Sequence, residues 1–99
     1  MELGTLNELR DHGKLSWSED ATAWAADPGE VVSALAHAGF QEYKRETTRS
    51  GDRTPRGGVW QGLDSRTGAV ASAVWVVRDD AAPLVFIDID GEPLRGDAR

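Results

Sequence analysis

Cysteine is absent from the 99 residues. That excludes a disulfide framework, thiol chemistry and a zinc site built on thiolates. Lysine is nearly absent as well, with Lys14 and Lys44 the only two. Acids outnumber bases by 17 to 11, for a net charge of −6 at neutral pH. That balance disfavours a nucleic-acid binder, which neutralises phosphates with a net basic face. No apolar run approaches the ~20 residues of a membrane-spanning helix. The N-terminus lacks the basic segment and apolar core of a signal peptide. The expectation is a soluble cytoplasmic protein with no membrane contact. Phe and Tyr are scarce, so four Trp must supply much of the aromatic burial. Heavy use of Ala, Gly, Arg and Asp beside so little Lys points to a high-GC bacterial or phage genome. A chain of this length holds one domain, taken here as residues 1–99.

The stretch from Val59 to Ile89 carries nearly all the strongly apolar residues of the second half, and its turns are explicit. A strand over 59–63 leads into the polar loop 64–68, which ends in Gly68 as a left-handed turn residue requires. The next strand, 69–77, is apolar on both faces: Val70, Val74 and Val76 on one, Ala69, Ala71, Ala73, Trp75 and Val77 on the other. It is expected to be central, covered on both sides, with Val74 and Trp75 in the core. A turn over 79–83 precedes the strand 84–90, where Val85, Ile87 and Ile89 alternate with Asp88 and Asp90. Residues 42–48 alternate weakly and read as a charged outer strand.

The first forty residues read as helical. Thr5 and Glu8 have capping-box spacing, with Gly13 placed to stop the helix. Ser16 and Glu19 repeat the box, and Trp17, Ala21 and Trp24 follow at helical spacing, which predicts either a second helix to about Ala26 or a loop pinned by the two tryptophans. Asp27, Pro28 and Glu30 form the best helix start in the chain, and Gly39 is its stop. The expected fold is therefore α+β: two to three short N-terminal helices packed on one face of a four-stranded antiparallel β-meander. Residues 50–58 are expected to be a mobile loop, and residues 92–99 a frayed polar tail.

Charge is unevenly spread. Lys44, Arg45, Arg49, Arg53 and Arg56 gather before the meander, and Asp79, Asp80, Asp88, Asp90 and Glu92 gather near its end. Leu84 to Gly91 is an apolar run ending in D-x-D-G. It resembles the first motif of haloacid-dehalogenase-type phosphatases. That resemblance implies a nucleophile at Asp88, an acid/base at Asp90 and magnesium between substrate and carboxylates. The sequence departs from the pattern: Glu92 stands where the family has Thr, and nine residues after Asp90 leave no place for the later motifs. The expectation is an edge strand with a polar end, and no enzyme. Asp88, Asp90 and Glu92 are too few for a calcium loop, which needs six or more oxygens. No metal and no cofactor are expected. Arg49, Arg53 and Arg56 with Trp60 form an alternative binding loop by charge and stacking, but one aromatic makes no platform.

Immunity proteins of bacterial toxins, antitoxins and phage inhibitors of host defence are similar in size, acidity and lack of cysteine. This likeness implies a small acidic inhibitor of a partner protein, such as a toxin or nuclease with a basic surface. The expected interface is Asp88, Asp90 and Glu92, with Asp79 and Asp80 at the other end of the strand. The second expectation is a non-catalytic structural or regulatory subunit of a larger assembly. The third is a small acid/base or metal-assisted enzyme using Asp88 and Asp90.

Overall fold

The computed structural model describes residues 4–96. Helix α1 (Gly4–Asp11) is followed by strands β1 (Leu15–Ser18) and β2 (Ala23–Ala26), helix α2 (Pro28–His37), and strands β3 (Gln41–Arg49), β4 (Pro55–Asp64), β5 (Ala69–Val76), β6 (Leu84–Ile89) and β7 (Glu92–Pro93). All strands pair antiparallel in one sheet of order β1-β2-β6-β5-β4-β3, with β7 on β6 beside β2. Two helices on a seven-stranded sheet, among the described residues, replace the expected two to three helices on a four-stranded meander.

The main correction lies at residues 16–26. They form the β1–β2 hairpin and no helix. Trp17 sits directly opposite Trp24, with ring centroids 5.1 Å apart at 69°. Such edge-to-face pairs add to the area they bury. β2 is anchored further by its pairing to β6, where Trp24 opposes Val85. Apolar residues seven apart suit one helix face or one strand pair equally, and the long-range partner decided. Helix α1 begins at Gly4, ahead of the expected cap Thr5, whose side chain is outside the described set.

Helix α2 forms as its local signals dictate. Asp27 accepts the Gly29 N–H at 2.9 Å and Pro28 opens the helix. At the other end Gly39 has φ 113°, and the N–H groups of Gly39 and Phe40 bond the carbonyls of Ala36 and Leu35. This double bond pattern closes a helix over a left-handed glycine. Val31, Val32, Ala34 and Leu35 are buried, facing the buried Ala69, Ala71 and Ala73 of the sheet. The small alanines let the helix approach closely.

Glycine supplies a second close approach inside β4. Trp60 lies on the helix-covered face, 1% exposed, and its indole passes over Gly62. It ends on Glu42 of β3, to which Nε1 donates at 3.0 Å. Gly58 similarly makes room for the Trp75 indole. Residues 55–58 are therefore strand, and the expected mobile loop shrinks to residues 50–54. That loop is closed on itself by Ser50 N–H to Thr54 O and Arg53 N–H to Ser50 O, both 2.9 Å.

The helices cover one face only. Val74, Val76, Phe86 and Leu63 are 40%, 47%, 39% and 39% exposed on the other. The expectation of cover on both sides of β5 fails there, and Val74 is not core; Trp75 is half-buried against it. β6 is an interior strand, flanked by β5 on one side and by β2 and β7 on the other, and not an edge. The expected frayed tail is docked as far as it is described. Leu94 N–H bonds Ile87 O at 2.7 Å, and Trp24 Nε1 donates to Leu94 O at 2.9 Å. Gly96 lies against Trp17 and Trp24. Residues 97–99 are outside the described residues.

Candidate interaction surface

The D-x-D-G sequence is a hairpin turn. Asp90 and Gly91 have φ 56° and 86°. Two successive positive values are what a two-residue type I′ turn requires, and Asp-Gly is its favoured pair. Ile89 opposes Glu92 and Asp88 opposes Pro93 across it. Opposed residues share a face, so Glu92 lies on the face of Ile87 and Ile89, while Asp88 lies on the helix-free face. Asp90 sits at the tip. The three carboxylates therefore surround the hairpin end and do not line one side of a strand. The metal-assisted arrangement rested on Asp88 and Asp90 sharing one strand face, and it loses that basis. Among the described residues no group of three or more His, Asp or Glu is arranged to hold a metal.

The other acidic pair is at the opposite end of β6. There Asp79 meets Arg56 at 3.1 Å, so one expected acid neutralises one residue of the alternative basic loop. Both are on the surface, where such a pair contributes little to stability. Arg49 donates to Arg53 O at 3.2 Å, and Arg53 has φ 69°. Trp60 is buried on β4 and cannot stack on a ligand. The alternative loop thus has arginines and no aromatic. Asp52 organises it: Ser50 Oγ and the Thr54 N–H donate to the carboxylate, which holds its pKa down at about 2.

Among the described residues the buried acid is Asp64, at the end of β4. Arg66 Nε and Nη2 grip its two oxygens at 3.1 Å each, and the Arg66 N–H adds a bond at 3.0 Å. These bonds, the side-chain ones first, hold Asp64 below the ordinary carboxylate range. The Arg66 guanidinium also lies against Gly39, where a cation faces the carbonyl end of α2. This cluster is structural, since both charges are spent on each other and on the helix end.

Two surfaces were not singled out by the sequence reading. One is a groove of about 660 Å³ between α1 and α2, lined by Glu8, Leu9, His12, Lys14, Glu30 and His37 among others. Lys14 and Glu30 bridge it at 3.5 Å, and His37 Nδ1 is 3.1 Å from Ser33 O. Its lining comes from α1, the connection after it and α2, so no local motif marks it. The other is the helix-free sheet face, where Val59, Val74, Val76, Leu84 and Phe86 are neighbours by register. Alternation in β4, β5 and β6 carried that signal, but not whether another layer covers it. No helix among the described residues is long and apolar enough to cross a membrane. No protein-family description matches this chain, and neither a curated protein nor a solved structure matches it significantly.

Proposed function

We propose that the protein is a non-enzymatic, acidic protein-binding domain that inhibits a partner, in the manner of an immunity protein or antitoxin. One observation carries the reading. The β6–β7 hairpin presents Asp88, Asp90 and Glu92 around its tip, and none of them belongs to an ion pair among the described residues. Asp79, by contrast, is compensated by Arg56. A protruding tip with carboxylates on every side suits a concave basic groove, such as the substrate cleft of a nuclease. Excess negative charge steers such an encounter. The hairpin also needs no ordering on binding, which limits the entropic cost.

The test is affinity capture from the native host with wild-type and Asp90→Lys/Glu92→Lys baits, followed by association kinetics at low and high salt. The charge-reversed hairpin is expected to bind about tenfold more weakly, mostly through the on-rate at low salt. Reversal of Arg49, Arg53 and Arg56 is expected to leave binding nearly unchanged. The opposite pattern makes the basic loop the working surface. A subunit of a larger assembly is the second reading, favoured by the uncovered apolar face of the sheet.

A further inference from the structure

The helix-free face has an internal order that the register makes visible. One row across β3, β4, β5 and β6 reads Lys44, Gln61, Ser72, Asp88. The next reads Glu46, Val59, Val74, Phe86, and the third Thr48, Gly57, Val76, Leu84. The first row has a cation at one end and a carboxylate at the other. Neither belongs to any ion pair among the described residues. Three strand spacings, ~14 Å, keep them from each other.

We propose that this face is the seam of a homodimer, two copies packed sheet on sheet about a two-fold axis parallel to β4 and β5. Such an axis reverses the strand order of the second copy and keeps each row level. Lys44 then faces Asp88 of the second copy, and Asp88 faces its Lys44. Gln61 faces Ser72, and Val59 faces Val74. Gly57 leaves space for Val76. Glu46 meets Phe86 and Thr48 meets Leu84, both at the rim, where the Glu46 carboxylate keeps its water. An isologous interface demands this self-complementarity, in which i meets j and j meets i. That axis aligns the central strands of the two copies, the twist of each sheet makes the corners diverge, and the long stem of Lys44 spans the divergence. Four strands at ~4.8 Å and the six residues of β6 at ~3.3 Å give a footprint of roughly 380 Å² a side. Two such sides amount to roughly 760 Å², below the ~1,000 Å² of stable specific interfaces and in the range of weak, transient contacts. The dimer is therefore reversible and concentration-dependent. The inference does not rest on the inhibitor reading, although the two share Asp88, so a partner that takes Asp88 competes with the dimer.

Sedimentation velocity over a concentration series tests it. The wild type passes from monomer to dimer. Val74→Asp, at the centre of the seam, raises the dissociation constant by about tenfold or more with far-UV circular dichroism unchanged. Lys44→Asp and Asp88→Lys each weaken the dimer. The double variant recovers to within about threefold of wild type, because it restores the pair with its signs exchanged. Asp90→Lys/Glu92→Lys leaves the dimer intact. A wild type that stays monomeric to its solubility limit overturns the proposal. So does a dimer indifferent to Val74→Asp, or a double variant that stays as weak as the singles. If Val74→Asp fails to fold, the surface charge swap decides alone.

Discussion

Replacing Gly62 with alanine inverts the usual expectation for a glycine. Where the backbone tolerates it, the change stabilises by ~0.4–1 kcal/mol by reducing the freedom of the unfolded chain. At Gly62 the new methyl group enters space taken by the Trp60 indole and lies 3.1 Å from Phe40 Cβ. The indole is buried and tied to Glu42, so it cannot swing aside without losing that bond. Overfilling a packed core costs ~1–3 kcal/mol, and ~2 kcal/mol is expected here. For a domain of this size that lowers the melting midpoint by about 8–16 °C. Thermal unfolding followed by circular dichroism measures it. Gly51→Ala is the control, because nothing lies within 4 Å of its added carbon, and its midpoint should hold or rise. In a Trp60→Leu background the ring is gone, and the cost of Gly62→Ala should largely vanish. A Gly62→Ala protein that melts at or above the wild type refutes the reasoning. An equal loss in the Trp60→Leu background refutes it too.

Two further predictions concern the docked segment after β7 and two carboxylates held by hydrogen bonds. Ending the chain after Pro93 removes the Leu94 side chain from the core and the acceptor of Trp24 Nε1, at a cost of ~2–4 kcal/mol; an unchanged urea midpoint shows the segment does not dock. Asp52 and Asp64 are held below ordinary carboxylate values, Asp52 at about 2. A depressed native value stabilises above the unfolded pKa of ~4 and loses that contribution as pH falls. Urea midpoints should therefore drop between pH 4 and about 2, the lower bound set by Asp52. Asp52→Asn/Asp64→Asn should flatten that limb, and an equal acid loss in the double variant removes the assignment.

What the sequence disclosed was what short-range chemistry controls. Asp27, Pro28 and Gly39 bound α2 because cap, first-turn and left-handed positions each demand a residue type. Gly68, with φ 79°, likewise marks the turn before β5. The β1–β2 hairpin was hidden because its evidence is Val85, far along the chain. Gly57 and Gly58 read as loop since glycine weakens strands, yet Gly58 is where the Trp75 indole must pass. The acidic cluster misled through period-two alternation, which sends Asp88, Asp90 and Glu92 to one side only while the strand continues. Asp90 and Gly91 turn the chain instead and split them. The Arg56–Asp79 contact has no local signature either, for it joins the start of β4 to the connection between β5 and β6.

The neighbour relation between β2 and β6 has a kinetic consequence. β3 to β6 is a meander, and each of its pairings closes through a short turn on a microsecond scale. The β1–β2 hairpin reaches β6 only when the chain has closed a loop holding α2 and the whole meander, and such closures are entropically dear and slow. Until Trp24 pairs with Val85, the part of β6 ahead of its β7 pairing is a strand edge with unmet N–H and C=O groups. Unlike β3, whose charged side chains discourage foreign strands, β6 carries Leu84, Val85, Phe86 and Ile87 in succession. Unguarded apolar edges recruit other chains. The aggregation hazard of this protein therefore sits on a strand that the finished sheet encloses, and it is set by how fast the two ends of the chain find each other.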